Sequence, residues 1–252
     1  MKIYYKNESE MIYHFIARLK KQGLLQDKFC YCGRLDPMAK GKMLFLEGDE
    51  CKQMEEYLKS DKEYEFEIGL GISTDTDDIL GLIDEINFDT INMFDASNIL
   101  HEQIKLLSTQ TIQKFHRFSA FQIKKNNTRI NLCELSKENK LKDEDIPSKS
   151  CKIYNITTLN KKKVNLKYYL STIKQKIQNL YDPKNYYRKN KILDAWTQFD
   201  TTISDNDDLQ FITYKYKIKV TSGFYIRQFI ADLKKNCNFP LIVLNINRVN
   251  YG

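Results

Sequence analysis

Residues 63–70 read EYEFEIGL, and the alternation is strict: Tyr64, Phe66, Ile68 and Leu70 share one side, Glu63, Glu65 and Glu67 the other. Side chains of an extended chain point to opposite faces with a period of two, so this is a half-buried strand with one wet face. Residues 212–220, ITYKYKIKV, repeat the pattern. There Ile212, Tyr214, Tyr216, Ile218 and Val220 oppose Lys215, Lys217 and Lys219. Strands with one solvated face belong to mainly antiparallel sheets.

Working outward, residues 9–23 predict an amphipathic helix. Ile12, Phe15, Ile16 and Leu19 fall at helical spacing, with Ser9 to cap the start and Gly23 to end it. Residues 42–46 predict a strand, and 50–59 a helix with Met54, Tyr57 and Leu58 inward. Further helices are expected over 95–107 and from Phe224 onward, and strands over 118–124, 151–157 and the run LIVLNINRV. Residues 159–209, rich in Lys, Asn, Tyr and Asp, read as an insertion with one helix over 166–180. The fold class is α+β, a mixed, mainly antiparallel central sheet flanked by helices. No internal repeat is visible.

A chain of 252 residues with 42% hydrophobic and 29% charged side chains can bury a sizeable core. No window approaches the run of roughly 18 apolar residues that a membrane span needs, and the N-terminus lacks the apolar region of a signal peptide. Six cysteines and three histidines are scattered without metal-ligand spacing, so a reduced, soluble intracellular protein without metal or cofactor is expected. The net charge of +7 concentrates in 152–191, where Lys161, Lys162, Lys163, Lys167, Lys174, Lys176, Lys184, Arg188 and Lys189 interleave with Tyr168, Tyr169, Tyr181, Tyr186 and Tyr187. Phosphates attract cations and unpaired bases stack on flat rings, so this composition fits RNA as well as it fits a solvated lysine-rich insertion.

On local signals, Asp36 between Leu35 and Pro37 reads first as a turn or cap residue, with a nucleophile or general base on a rigid loop as the functional alternative. Arg227 in SGFYIRQFIADL is either an exposed helix arginine or one that meets a carboxylate. Tyr64 is a core tyrosine or a site tyrosine. The Asp75, Asp77 and Asp78 cluster also admits a metal-dependent hydrolase. Periodicity links none of these.

A resemblance does. GRLDPMAKGKMLFLEGDECK (33–52) resembles the G-x-L-D-P-x-A-x-G-x-L motif of the TruB-type tRNA pseudouridine synthases. DKEYEFEIGLGISTDTDDILG (61–81) resembles their K-x-Y and T-D-T-x-D segment, FSAFQIK (118–124) their Y-S-A-x-K, and TSGFYIRQFIADL (221–233) their G-x-Y-I-R helix start. Order and spacing agree over nearly the whole chain outside 159–209. The resemblance implies the pseudouridine synthase catalytic fold with a cleft across the sheet. It implies a single catalytic domain over 1–252 with a basic insertion at 159–209 and no C-terminal PUA domain. It further implies isomerisation of the T-loop uridine of tRNA, at position 55, to pseudouridine. By resemblance Asp36 is the nucleophile, Tyr64 stacks on the flipped base, and Arg227 pairs with Asp36. Tyr31, Gly33, Arg34, Leu35, Lys62, Thr74, Asp75, Ser119, Tyr225 and Ile246 are the implied substrate contacts. Tyr31 stands where the family carries a histidine, and Gln122 replaces its S-A-x-K lysine. The implied partner is the tRNA T-arm, with no guide RNA, no membrane and a monomeric enzyme. The alternatives are an RNA-binding, tRNA-folding chaperone of the same fold and a synthase acting on mRNA or other stem-loops.

Overall fold

The computed structural model describes residues 1–88, 93–125, 127–203 and 209–251. In chain order come β1 (Lys2–Lys6), α1 (Ile12–Lys21), β2 (Phe29–Cys32), β3 (Ala39–Glu47), α2 (Met54–Leu58) and β4 (Lys62–Leu70). There follow β5 (Ile72–Thr74), β6 (Ile83–Ile86), α3 (Met93–Leu107), β7 (Ile112–Lys114), β8 (Gln122–Lys125), β9 (Thr128–Asn131), α4 (Leu132–Lys137) and β10 (Ser148–Ser150). Then come β11 (Ile153–Asn165), α5 (Leu166–Asn179), α6 (Lys189–Thr202), β12 (Gln210–Val220), α7 (Ile226–Cys237) and β13 (Leu241–Tyr251).

The main sheet has the order β1-β3-β13-β4-β12-β11, with β2 beside the second half of β3. Every pairing in it is antiparallel except β13 with β3. The alternation in β4 works as its spacing dictates: Tyr64, Phe66, Ile68 and Leu70 are buried. On the opposite face Glu65 meets Lys215 at 2.6 Å and Glu63 meets Lys217 at 3.5 Å, both from β12. On the apolar face α3 and α7 cover these strands, with Phe229, Ile230 and Leu233 in the same core as Phe66 and Ile218. In β13, Leu241 and Val243 join that core while Ile242 and Leu244 join a second one on the reverse side. A strand buried on both faces reads as a continuous apolar run, which is why LIVL does not alternate.

Several local expectations change in the fold. Ser9 does not cap α1: its φ is 58° and its Oγ donates to the Lys176 carbonyl at 2.7 Å, so the helix starts at Ile12 without a side-chain cap. Gly23, at φ +69°, does follow its C-terminus. The segment before α2 is a 3-10 helix, Gly48–Gln53, closed by the reciprocal Glu47–Glu50 capping box. The strand expected over 118–124 is only β8; Phe118 to Ala120 form a turn held by Ser119 N–H to the His116 carbonyl. The insertion carries two helices, not one, and its first residues extend β11 along β12 to Asn165. Residues 204–208 of it lie outside the described residues. Among the described residues, no helix is long and apolar enough to cross a membrane.

Candidate active site

A cleft of about 1280 Å³ crosses the sheet, walled by the β2–β3 loop, β4, β13, the 119–122 turn and the start of α7. The β2–β3 loop is built to be rigid. Gly33 takes φ +89°, and the Ala39 N–H donates to the Asp36 carbonyl at 3.1 Å, closing a tight turn around Pro37. Two buried cations lash the loop by its carbonyls. Lys6 Nζ donates to Pro37 O at 3.1 Å and Ala39 O at 2.6 Å. Arg248, 1% exposed, donates to Lys42 O at 2.8 Å, Gly33 O at 3.2 Å and Arg34 O at 3.4 Å. Carbonyls that would otherwise be buried without partners are thereby satisfied. Burial pushes the Lys6 ammonium down to about 8.

This loop presents Asp36 to Arg227, the second residue of α7. Arg227 Nε donates to Asp36 Oδ2 at 2.8 Å. Arg227 is 5% exposed, whereas the Asp36 side chain keeps 36% exposure toward the cleft. Burial alone would raise the Asp36 carboxyl, but the Arg227 charge and hydrogen bond outweigh it and hold it below its ordinary value. The group is therefore an ionised carboxylate whose rotamer is fixed and whose other oxygen is not engaged by the arginine.

Three of the four remaining guanidinium hydrogens have acceptors. Nη2 donates to the Phe118 carbonyl at 3.2 Å, and Nη1 to Thr76 O at 3.4 Å and to His116 Nδ1 at 3.2 Å. His116 Nδ1 also accepts the Phe118 N–H at 3.1 Å, so its proton sits on Nε2 and is donated to Asp77 Oδ2 at 3.1 Å. Burial, then Arg227, lowers the His116 pKa, so the ring is neutral. Asp77 is answered on its far side by Lys234 at 2.9 Å. Asp78 Oδ2 lies 3.6 Å from Arg227 Nε, and its Oδ1 accepts from Thr76 Oγ1 at 2.8 Å and Leu80 N–H at 3.0 Å. Burial dominates there and pushes the Asp78 carboxyl up to about 6.

Tyr64 and Ile246 form the floor of the cleft from β4 and β13. Tyr31, Gly33, Arg34, Leu35, Lys62, Ser119 and Tyr225 also line it. The Gln113 side-chain amide holds Tyr225 in place, accepting its N–H at 2.9 Å and donating to its carbonyl at 3.1 Å. Lys62 lines the cleft with its ammonium turned away, donating to Leu58 O at 2.9 Å and Ser60 O at 2.5 Å. Thr74 and Asp75 do not reach the cleft wall. Thr74 is fully buried, its hydroxyl donating to Asp78 O at 2.7 Å, and Asp75 is engaged by Arg188 at 2.6 Å. The acidic cluster is dispersed accordingly: Asp75 faces Arg188, Asp77 faces His116 and Lys234, and Asp78 faces Arg227. Among the described residues, no three His, Cys, Asp or Glu side chains gather as metal ligands.

Sequence reasoning missed Lys6, Arg248 and His116, and read Asp78 only as part of an acidic cluster. Arg248 had a signal, a cation two positions after Ile246 in a strand, where the alternation calls for a buried side chain. Lys6 and His116 had none, because their partners are distant in the chain.

Residues 21–176, more than half of the chain, match the profile of the TruB family pseudouridylate synthase N-terminal domain. A tRNA pseudouridine synthase B from Caldicellulosiruptor saccharolyticus is 30% identical over 137 residues, which is 54% of this chain and 44% of that protein. The match therefore spans less than half of the relative's length. Of solved structures, an H/ACA RNP bound to a substrate RNA containing 2′-deoxyuridine aligns over 98% of this chain and 46% of that one, at 13% identity and TM-score 0.46. A Cbf5-Nop10-Gar1 complex aligns over 98% and 47%, at 12% identity and TM-score 0.49. The matched span takes in the Asp36 loop, Tyr64 and the 74–78 segment that backs Arg227, and on that match the chain belongs to the TruB family of pseudouridylate synthases.

Proposed function

We propose that this chain isomerises a uridine of a tRNA T-loop, the position-55 uridine, to pseudouridine, with Asp36 as nucleophile. The observation that carries the reading is the 2.8 Å ion pair between Arg227 and a half-exposed, ionised Asp36 at the wall of the cleft. The printed name of the relative, a tRNA pseudouridine synthase, supports tRNA as the RNA.

The chemistry asks little beyond these side chains. The target uridine leaves its stack to reach a carboxylate set in a cleft. Its base lies between the Tyr64 ring and Ile246. Asp36 attacks, the N-glycosidic bond breaks, the base turns, C5 is joined to C1′ of the ribose, the bond to Asp36 breaks to return the carboxylate, and N1 of the base takes up a proton. The proton on C5 must then leave, and Tyr64 is the cleft group suited to assist. Arg227 keeps Asp36 charged and oriented, so no reorganisation is required when the carboxylate acts. Residues 1–252 act here as one catalytic unit, with the 159–209 insertion packed into it.

The test is pseudouridine mapping on an unmodified T-arm RNA incubated with wild-type protein and with Asp36→Ala, without cofactor or guide RNA. Conversion of one loop uridine by the wild type, and none by the variant, is expected. Binding without conversion by the wild type would move the reading to an RNA-binding protein of this fold.

A further inference from the structure

Tyr186 and Tyr187, from the segment 182–188 between α5 and α6, also line the cleft. These residues fall in the insertion, outside every motif the family resemblance covers. They are nonetheless tightly fixed. The Asp182 carboxylate accepts the backbone N–H groups of Tyr186 at 2.9 Å and Tyr187 at 2.8 Å. Arg188 takes left-handed backbone, φ 60°, which residues with a Cβ seldom adopt. Its guanidinium forks onto Asp75, Nη1 to Oδ2 at 2.6 Å and Nη2 to Oδ1 at 3.1 Å, and lies over the Phe118 ring at 5.2 Å. From the other side Lys137 of α4 donates to the Tyr186 carbonyl, and its ammonium stands 3.5 Å from the centre of the Tyr186 ring.

The clasp holds two aromatic rings at the cleft rim. Tyr186 and Tyr187 stand edge to face, 4.9 Å between centroids, and both line the cavity that contains Asp36. A side cavity of about 100 Å³ brings the same two tyrosines, Arg188, Asp36 and Arg227 together. Tyr186 stays 43% exposed. Unlike the more exposed Tyr168 and Tyr181, this ring is fixed in place, and it lines the same cavity as Asp36 beside a lysine. Flat rings of that kind are what unpaired bases stack on, and the adjacent cation suits the attached phosphate.

We propose that Tyr186 and Tyr187 form a stacking platform for an unpaired nucleobase of the RNA, next in the strand to the uridine delivered to Asp36, and that the Arg188–Asp75 fork is the clasp that holds it. This rests on the RNA-modifying reading above and adds a base-binding subsite to it. It also gives Asp75 a positioning role in place of direct substrate contact.

The experiment uses the full chain and T-arm RNAs carrying 2-aminopurine at each loop position flanking the target uridine, read by fluorescence titration and by uridine conversion. The wild type and the Tyr186→Phe/Tyr187→Phe variant are expected to quench one flanking position. The Tyr186→Leu/Tyr187→Leu variant is expected to lose that quench and to bind about tenfold more weakly per base unstacked, raising KM more than it lowers kcat. Arg188→Ala, which keeps both rings, is expected to weaken quench and binding in the same direction. Unchanged circular dichroism of the Leu variant excludes misfolding as the cause. Retained quench and affinity in the Leu variant would overturn the platform. So would a wild type that converts uridine with no quench at any flanking position. A wild type that quenches but converts nothing would defeat the proposed reaction and leave the platform standing, and one that binds no RNA would defeat both.

Discussion

At the scale of single residues, the site is a set of buried charges in which burial and pairing pull in opposite directions. Asp36 and Asp78 face the same guanidinium, yet Asp36 is held below its ordinary pKa and Asp78 is pushed up to about 6, because burial raises both and Arg227 hydrogen-bonds Asp36 but stands 3.6 Å from Asp78, which the Asp36 charge also raises. The consequence for stability has a definite sign. Asp36 contributes stability above its unfolded value of 3.8, lost as the pH falls through its lowered folded value. Asp78 does the reverse: the folded protein keeps a proton that the unfolded chain releases, so its contribution is complete below 3.8 and is lost as the pH rises to about 6. Asp78→Asn retains acceptors for Thr76 and Leu80. It is expected to abolish the decline in stability between roughly pH 4 and 6 and to gain about 1–3 kcal/mol at neutral pH. Denaturant unfolding of both proteins across that range checks this; an unchanged decline would assign it to another group.

At the scale of elements, the position of Asp36 depends on how closely β3 and β13 approach. Their parallel pairing sets Arg248 opposite Gly41 and Ile246 opposite Ala39. Gly41 has φ +127°, and a Cβ there would fall 2.4 Å from the Arg248 carbonyl oxygen and 2.5 Å from its nitrogen. Gly41→Ala therefore strains the backbone and drives the strands apart, moving the Asp36 loop away from the Ile246 floor. A loss of more than about 1 kcal/mol is expected, seen as a lower denaturation midpoint, with conversion falling further than the folded fraction. Full activity in the variant would show that strand spacing does not set the geometry of the site.

At the scale of the whole molecule, the insertion is structural. Leu166, Leu170, Ile173 and Ile177 of α5 and Ile192, Trp196 and Phe199 of α6 form one core with Ile72, Leu80, Phe211, Ile242 and Leu244. The reverse face of the sheet is thus closed by the segment whose composition resembled a solvated arm. Many of its cations are engaged internally: Lys174 with Asp200, Lys176 with Glu8 at 2.9 Å, and Arg188 with Asp75 at 2.6 Å. Trp196→Ala, at a fully buried position, is expected to cost about 3–5 kcal/mol. Hydrogen exchange should show amides of β5 and β13 losing protection together with α6. Loss confined to α5 and α6 would mean that the insertion opens as a unit of its own.

The sequence by itself determined what depends on neighbours in the chain. The period of two in β4 and β12 set their buried faces, and the period near 3.6 set those of α1 and α7. The motifs around Asp36, Tyr64 and Arg227 marked residues that the fold does bring to one cleft. Even α6 was legible, since Ile192, Trp196 and Phe199 share one helical face; its lysine- and asparagine-rich surroundings masked it. Only the tertiary structure decided which charges are buried and what each one meets. Arg227 reaches Asp36 across 191 positions, Arg188 reaches Asp75 across 113, and Arg248 reaches Gly33 across 215. Periodicity carries no information over such separations. A lysine such as Lys6 reads as a surface residue until the fold supplies the carbonyls it satisfies, and two tyrosines in a basic run have no fixed place until a clasp sets them at the rim of the Asp36 cleft.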